Sequence, residues 1–570
     1  MKSMSKFTRL IGLGLIVILA LGFVSGVGAQ DDVTRLVVGH NQGVGDLSNL
    51  DPSLADGVDA VDVIDEAFVA LARMNELEVI PEPGMATWTV SDDGTVYTFD
   101  IRDDVPWVRY NADTGEVEQV LDEDGNVRMV TAADFEFGIK RSLDPQLAAT
   151  YSGILAPWFS GGLEFFQSGD ADEATRQELL DNIGVVATGE FTLELTTPNA
   201  SSVVPSIFSM WGTVAQPSWV IEEFGDFWVE PENINTYGPY AVKEWVHDES
   251  ITLIANPFWP GQDNIPQPSI DEIVFQFLDP TVQLANFEAG SMDYIDVPAG
   301  ADVDRVLADP NLSQFYTTSE GVCNYYYAFN DTIPPFDDPR AVRAFSLTIP
   351  REAIVENVTK AGEVPAGFFT IPSIVAAPQV EDFPDLAIHT DPELGAQIWQ
   401  EYLADTGHEA SDFNGLTLLF NTSERHSAIA QVIQQAWLEN LGVEVQLTNQ
   451  DFGTYLQVRG EFPIYRAGWC FDYPDTNNFL GDNFHSVFGG TDIPWENADF
   501  DALIEQALIE TDPAVRAELY AQAERILIWD DATVAPIYWT TSDSMLNDRF
   551  VRPGVSRIER DYFEKWTVAS

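Results

Sequence analysis

A short apolar run near the amino terminus limits which part of this chain contributes to its fold. Basic residues precede residues 10–24, which are apolar, and small residues up to Ala29 follow before the chain turns acidic. The run of about 15 residues is shorter than the roughly 20 that span a bilayer as a helix. This order is typical of a secretory signal peptide, with a membrane anchor as the alternative. We expect cleavage after Ala29 and, because no cysteine follows the run, a periplasmic or extracellular protein without a lipid anchor.

The chain beyond the signal peptide is longer than one hydrophobic core usually supports. Chains of more than about 250–300 residues divide into several domains, so we expect two or three. Residues 88–102 alternate apolar and polar side chains around Asp93-Gly94, which predicts a β-hairpin. Helical periodicity marks residues 500–509 and 513–528. Strand and helix patterns interleave without a fixed repeat, so the sequence predicts an α/β protein with several sheets.

The net charge of −65 is the most unusual bulk property of the chain. A protein this acidic repels polyanions, which excludes nucleic acid as a partner. Acidic excess with few lysines is typical of proteins kept soluble in concentrated salt, where a short Debye length screens self-repulsion. A general acidic bias explains the composition equally well. Both explanations concern the surface of the protein and do not identify a ligand.

The sequence lacks the motifs of common enzyme and metal sites. Gly-x-Ser-x-Gly, His-Glu-x-x-His and phosphate-loop patterns are absent. A pair of acids at glycosidase spacing carries little information in a chain that has 92 acidic residues. The six histidines are scattered, so no metal site is predicted. A secreted hydrolase is the main alternative class, and we expect neither catalysis nor a cofactor.

The two cysteines, Cys323 and Cys470, lie far apart in the sequence. An even number of cysteines in an exported chain favours one disulfide. Two free buried thiols are the alternative.

Four separated blocks of sequence occur in a fixed order along the chain. They comprise residues 50–53, 81–94, 107 and 131–135; residues 237–240, 245, 256–259 and 288–293; residues 323–327, 330, 334–340 and 351–354; and residues 466–475. In this order they resemble the oligopeptide- and dipeptide-binding subunits of ABC importers, which form bacterial extracellular solute-binding protein family 5. The resemblance covers nearly the whole chain after the signal peptide. It implies an α/β, two-lobed periplasmic-binding-protein fold of type II with an extra inserted domain.

The resemblance also implies domain boundaries. The expected parts are a signal peptide (1–29), a discontinuous lobe I (30–69, 217–322 and 541–570), an inserted small domain (70–216) and lobe II (323–540). Close oligopeptide binders carry cysteines in the blocks that hold Cys323 and Cys470, which strengthens the expectation of a disulfide within lobe II.

A closed cleft around an extended peptide must neutralise an ammonium at one end and a carboxylate at the other, because an unpaired buried charge is costly. Asp472 matches the family position that receives the ammonium. Arg466 matches a position that meets the carboxylate of a short ligand, to which a guanidinium fork is well suited. His426 matches a second position at the carboxyl end. An internal salt bridge between Arg466 and Asp472, and a surface position for His426, are the alternatives.

Other family positions line the predicted cleft. Trp469 and Phe452 match aromatic positions of side-chain pockets, with a place in the core as the alternative. Phe452 stands where close oligopeptide binders have tryptophan. Asp56 and Tyr151 match contacts from lobe I and the inserted domain.

Backbone groups complete the predicted cleft. Gly468 and Cys470 flank Trp469, and their amides and carbonyls suit pairing with an extended peptide. A family lysine that contacts the far end of some ligands falls near Thr359-Lys360, so the preferred ligand length does not carry over.

The function that the resemblance implies is capture of a short peptide by lobe closure and delivery to the membrane permease of an ABC importer. A monomer is expected. An oligosaccharide, an opine or a metal chelate is the alternative ligand on the same fold.

Overall fold

The computed structural model describes residues 33–40, 46–201, 203–296, 301–490 and 493–570. The predicted signal peptide lies outside these ranges. Within them, no helix has both the length and the apolar character that crossing a membrane requires.

Strands occur along the whole described chain. They are β1 (Arg35–His40), β2 (Ala72–Asn75), β3 (Ile80–Pro83), β4 (Ala86–Val90), β5 (Val96–Ile101), β6 (Val108–Asn111), β7 (Glu116–Gln119), β8 (Val185–Ala187), β9 (Thr192–Thr196), β10 (Tyr240–Val246), β11 (Ser250–Ala255), β12 (Glu272–Phe277), β13 (Tyr294–Asp296), β14 (Tyr316–Phe329), β15 (Val364–Pro365), β16 (Thr417–Asn421), β17 (Gln446–Gln450), β18 (Ile464–Ala467), β19 (Val534–Leu546), β20 (Phe550–Val551) and β21 (Thr567–Val568).

Helices alternate with these strands. They are α1 (Val58–Ala67), α2 (Ala132–Ser142), α3 (Ser152–Leu155), α4 (Gly162–Phe166), α5 (Glu173–Asp181), α6 (Val204–Ile207), α7 (Ser218–Phe224), α8 (Pro280–Glu288), α9 (Ala301–Ala308), α10 (Pro310–Ser313), α11 (Pro339–Leu347), α12 (Arg351–Ile354), α13 (Pro392–Thr406), α14 (Glu424–Leu441), α15 (Phe452–Val458), α16 (Thr476–Phe484), α17 (Ala498–Ile509) and α18 (Pro513–Arg525). The two helices predicted from periodicity near the carboxyl end are confirmed as α17 and α18.

Five of the described helices begin with the same local device, an aspartate cap followed by proline. The caps are Asp279, Asp309, Asp338, Asp391 and Asp512, and each side chain accepts a backbone N–H of the first helical turn. Proline suits the first helical position because its fixed φ is helical and its missing N–H would have no partner there. The carboxylate also interacts favourably with the positive end of the helix dipole. Part of the acidic excess therefore stabilises helix starts.

One mixed sheet of eleven strands runs through the described residues. Its order is β10-β11-β12-β1-β13-β19-β14-β18-β16-β17, and β15 pairs with β19. β1 runs parallel to β12 and β13, whereas β14 runs antiparallel to β18 and β19. The strands at both ends of the sequence thus share a sheet with those in the middle.

The long strands β14 and β19 change register halfway along their length. Residues 316–320 pair with 541–545, and residues 324–328 pair with 534–539. Gly321 lies in the break, where a Cβ atom would come within 2.3 Å of Thr540 Oγ1. Cys323, the predicted start of lobe II, therefore lies inside β14, at the end of the break.

A smaller sheet of four strands has the order β4-β5-β9-β8. Its β4–β5 pair is the hairpin predicted around Asp93-Gly94, so that prediction is confirmed. Gly94 has φ +74°, in the left-handed region that favours glycine in a tight turn.

Hydrophobic side chains form separate clusters. The largest comes mainly from residues 36–277, and two others come mainly from residues 322–539. Trp469 packs against the largest cluster and against one of the other two. This division is what two lobes that meet near Trp469 would produce.

Candidate ligand-binding site

The loop that follows β18 carries four of the nine predicted site residues, Gly468, Trp469, Cys470 and Asp472. β18 lies between β14 and β16, and the chain leaves the sheet at Gly468. A Cβ atom at Gly468 would come within 2.8 Å of the carbonyl oxygen of Asn324, which favours glycine. The backbone N–H of Trp469 donates to Asn324 Oδ1 (2.9 Å), and its carbonyl accepts the N–H of Asn324 (2.9 Å). The start of the loop is therefore held against β14.

A disulfide holds the same loop one residue further on. Cys323 of β14 is bonded to Cys470, as predicted, and the two Cα atoms are 4.0 Å apart. Beyond it, the N–H of Phe471 donates to the carbonyl of Val322 (3.2 Å). The loop is thus fixed to β14 on both sides of the disulfide.

Asp472 is a buried carboxylate that hydrogen bonds only uncharged groups among the described residues. It is 9% exposed. Its Oδ1 accepts from the Tyr151 hydroxyl (3.1 Å) and its Oδ2 from the Asn478 side chain (3.0 Å). Burial raises the pKa of Asp472 to about 6, against the opposing effects of Asn478, Arg560 and Tyr151. The alternative of an internal salt bridge with Arg466 is wrong, because these partners take its place.

Asn478, on α16, is a site residue that the sequence did not reveal. Its Nδ2 donates to both Asp472 Oδ2 and Asp482 Oδ2, each at 3.0 Å. Its Oδ1 accepts from the indole of Trp469 (3.0 Å) and the backbone N–H of Asp472 (3.0 Å). One amide therefore orients the carboxylate and the aromatic ring together.

Asp482 extends the hydrogen-bond network that Asn478 begins. It accepts from the Tyr473 hydroxyl (2.7 Å) and from the Asn477 side chain (3.0 Å) as well as from Asn478. Burial raises the pKa of Asp482 to about 8. Every residue of α16 is buried. The helix carries an internal hydrogen-bonded network rather than a polar surface face.

Arg466 and His426 come together around a second group, Tyr325. The Arg466 guanidinium lies 4.7 Å from the centre of the Tyr325 ring, and its Nη1 donates to Asn421 Oδ1 (3.3 Å). Its buried Nε has no hydrogen-bond partner among the described residues. His426 is buried, with Nδ1 3.3 Å from the Tyr325 hydroxyl. A surface position for His426 is therefore wrong.

The imidazole of His426 is neutral. Burial holds the pKa of His426 far below its usual range, and the charges of Arg466 and Arg425 act in the same direction. His426 can therefore serve a carboxylate only as an uncharged hydrogen-bond donor, and Arg466 supplies the charge.

The remaining predicted residues take different positions. Tyr151 reaches Asp472 as described above and packs edge-on against Trp211 (4.7 Å between ring centres). Asp56 is exposed, and its charge contributes to the raised pKa of Tyr151 after burial and Asp472. Phe452 is 53% exposed, so a place in the core is wrong for it.

Phe452 lies on the Arg466 side of the site. It stacks on Tyr455 with 6.2 Å between ring centres, and the Tyr455 hydroxyl donates to the backbone carbonyl of Arg466. The structure thus groups Asp472, Tyr151 and Trp469 around Asn478, and groups Arg466, His426 and Phe452 around two tyrosines.

Known proteins resemble this chain over most of its length. The model of "Bacterial extracellular solute-binding proteins, family 5 Middle" matches residues 80–490. The periplasmic oligopeptide-binding protein OppA of Escherichia coli (strain K12) is 30% identical over 90% of this chain and 87% of its own length. The oligopeptide-binding protein OppA of Bacillus subtilis (strain 168) is 30% identical over 98% of each chain.

Solved structures show the same fold. The murein tripeptide binding protein MppA of Escherichia coli superposes with a TM-score of 0.80 and 26% identity, over 95% of this chain and 99% of its own. OppA of Haemophilus influenzae has a TM-score of 0.79 at 22% identity, over 95% and 100% of the two chains. Their fold is the two-lobed type II fold. The chain belongs to family 5 of the bacterial extracellular solute-binding proteins.

Proposed function

We propose that this protein captures short peptides between its two lobes and delivers them to the membrane permease of an ABC importer. Asp472 carries the proposal. It is a buried carboxylate that forms no ion pair among the described residues, and it accepts hydrogen bonds from the Tyr151 hydroxyl and the Asn478 side-chain amide. A buried carboxylate without a contact cation is costly. The α-ammonium of a peptide would supply the missing cation.

At the opposite end of the proposed site, Arg466 supplies a positive charge for the carboxylate of the ligand. The Nε of Arg466 is buried and unpartnered, and His426 next to it is neutral. A carboxylate that approached this pair would accept charge-assisted hydrogen bonds from the guanidinium. Two poles of opposite sign favour a zwitterionic ligand such as a peptide over an uncharged oligosaccharide.

The loop between the two poles offers backbone groups to the ligand. Asn324 occupies the N–H and carbonyl of Trp469. The N–H and carbonyl groups of Gly468 and Cys470 make no backbone hydrogen bond within the described residues. An extended peptide could pair with these groups as an added strand.

The register break in β14 and β19 supports lobe closure at that position. Tyr316 and Met545 pack in one hydrophobic cluster, and Tyr326 and Val534 pack in another. Between them, the pairing of the two strands is interrupted at residues 321–323. Hinges lie at a few residues that absorb backbone rotation. The predicted boundaries of lobe II, residues 323 and 540, coincide with the break. Periplasmic or extracellular localisation follows from the predicted signal peptide and agrees with the printed names of the relatives.

The test is calorimetric titration with tri-alanine and with N-acetyl-tri-alanine, which lacks the ammonium. We expect the unmodified peptide to bind and the acetylated one to bind at least 100-fold more weakly. The variant Asp472→Asn should weaken binding of the unmodified peptide by a similar factor. Glu123→Gln, an exposed acid, is the matched control. If Asp472→Asn binds tri-alanine like wild type and the wild type binds maltotriose, the proposal is wrong.

A further inference from the structure

A cavity of about 180 Å³ lies between α1, the ends of β13 and β19, the start of α14 and the segment before the carboxyl terminus. Residues of both predicted lobes contribute to it, with Arg425 from lobe II and the others from lobe I. A pocket that holds a whole drug-sized ligand measures roughly 300–1,000 Å³. The cavity is therefore suited to a single long side chain rather than to an entire ligand.

The lining of this cavity is strongly acidic. It includes six carboxylates, which belong to Asp59, Asp62, Asp296, Asp543, Glu559 and Asp561. Two guanidinium groups, those of Arg425 and Arg552, line it as well. Carboxyl groups therefore outnumber guanidinium groups by four among the residues that line the cavity.

Several of these carboxylates are held in place by uncharged donors. Asp543 accepts from the Tyr316 hydroxyl (2.6 Å), Asp561 from the Tyr294 hydroxyl (2.6 Å), and Glu559 from the backbone N–H of Val322 (3.1 Å). These three acids form no ion pair with another described residue. Hydroxyl and amide donors orient these carboxyl groups without supplying a compensating positive charge. Burial raises the pKa of Asp561 and raises that of Glu559 to about 7, so a cation that entered the cavity would favour their ionised forms.

Asp62 has a carboxyl oxygen that lacks a hydrogen-bond partner. Its Oδ1 atom is buried and has no hydrogen-bond partner among the described residues. Burial raises the pKa of Asp62 well above its usual value, and nearby carboxylates add to this effect after the opposing charge of Arg560. A cation inside the cavity would give the Asp62 carboxylate an oppositely charged partner. It would also reduce the repulsion between Asp62 and the neighbouring carboxylates.

The cavity adjoins the two poles of the proposed ligand site. Arg425 precedes His426 directly in α14, on the side of the predicted carboxyl end. Arg560 interacts electrostatically with both Asp62 and Asp472, so one cation connects the cavity wall with the predicted ammonium end. Residues next to the cavity are thus linked to both ends of the proposed ligand site.

We propose that the cavity receives a cationic side chain of the captured peptide, so that the protein selects peptides containing arginine or lysine. The preference rests on the proposed peptide-binding function and adds the substrate class to it. The hydroxyl and amide donors leave Asp543, Asp561 and Glu559 without a compensating cation, and Asp62 has a carboxyl oxygen that no described residue hydrogen bonds. Acidic side chains are excluded from the same space by repulsion.

The test measures affinity for seven tripeptides by calorimetry. They are tri-alanine, the three peptides with one alanine replaced by arginine, and the three with one alanine replaced by glutamate. For at least one position, we expect arginine to bind at least tenfold tighter than alanine and glutamate at least tenfold weaker. In Asp62→Asn and in Glu559→Gln, the arginine-to-alanine affinity ratio at that position should fall at least fivefold.

Glu123→Gln, at an exposed position that does not line the cavity, should keep the wild-type ratio, and thermal denaturation checks that each variant is folded. If no tripeptide binds wild type, the proposed function itself fails. If tri-alanine binds but arginine gives no advantage, or if both variants keep the ratio, only the cavity proposal is overturned. Titration of the peptide-free protein with calcium chloride is a further control, and calcium binding that Asp62→Asn abolishes would instead show an inorganic cation site.

Discussion

The side-chain amide of Asn478 donates a hydrogen bond of 3.0 Å to the buried carboxylate of Asp472. The oxygen of the same side-chain amide accepts the indole N–H of Trp469. An uncharged residue thus sets the orientation of the group that we propose as the ammonium receptor, and also lowers its pKa. Asn478 is therefore a positioning residue.

Replacing Asn478 with alanine should weaken peptide binding by about 10- to 100-fold, because Asp472 and Trp469 lose their common partner. The donors and acceptors left buried should also lower the free energy of unfolding by about 1–3 kcal/mol. A structural role alone would not alter the pH profile. Because Asn478 lowers the pKa of Asp472, its loss should move the pH midpoint of binding upward. Asn199→Ala, at an exposed loop position, is the control, and an unchanged midpoint in Asn478→Ala would contradict the assignment.

Peptide affinity should depend on the protonation of Asp472. Its pKa in the ligand-free protein is about 6, and we propose that the ligand ammonium requires the ionised form. Affinity for tri-alanine should therefore be constant above pH 7 and fall by up to about tenfold for each pH unit below 6. His426 stays neutral throughout, so it should add no step of its own. Calorimetry between pH 7.5 and 5.0 tests this, and equal affinities at both ends would contradict the role of Asp472.

The stability of the ligand-free protein should fall as the pH rises from 5 to 8. Burial raises the pKa of Asp472 to about 6, of Glu524 and Glu559 to about 7, and of Asp482 to about 8. In this range the folded protein binds more protons than the unfolded chain, so the free energy of unfolding decreases with pH. Thermal denaturation at fixed ionic strength measures it.

Glu559→Gln should flatten that decrease between pH 6 and 8, because the variant no longer ionises at this position. Glu123→Gln, whose carboxyl is exposed, should leave the slope as in wild type. A melting temperature that rises with pH over the same interval would show that the buried acids are ionised without penalty.

Removing the disulfide should destabilise the protein and loosen the site. Cys323 and Cys470 are 147 residues apart, so the bond closes a long loop of the unfolded chain. Loss of such a bond typically costs about 2–5 kcal/mol. The double variant Cys323→Ser with Cys470→Ser should show this loss in urea denaturation, together with weaker tri-alanine binding. Added reductant should lower the stability of wild type and leave the double variant unchanged, and the opposite pattern would contradict a structural bond.

Local features were predictable because neighbouring residues determine them. The turn at Gly94 follows from a residue that tolerates positive φ, and α18 starts where Asp512 caps a helix and Pro513 opens it. The pairing of Cys323 with Cys470 followed from an even count and from the resemblance. Asp472 and Tyr151 were also named from matching blocks, and the structure brings their side chains into contact.

The supporting network was not predictable. Five of the nine residues of α16 are Thr, Asn or Asp, yet all its residues are buried. Asn477, Asn478 and the Tyr473 hydroxyl all donate to Asp482, so these polar groups hydrogen bond within the interior. Hydrophobic periodicity cannot detect a helix that is buried through its hydrogen bonds.

By itself, the sequence determined the α/β class, the family, and the hairpin and helix starts, and it supplied Asp472 and Arg466 as the residues that we propose for the two ends of the ligand. Only the tertiary structure decided that Asp472 forms no ion pair with another described residue, that His426 is neutral, and that acids from α1, β13 and β19 converge on one cavity with Arg425. The physical reason is that charge state and cavity shape depend on burial and on residues distant in sequence. A pattern along the chain does not record which charges the fold brings together, or how far it removes them from water.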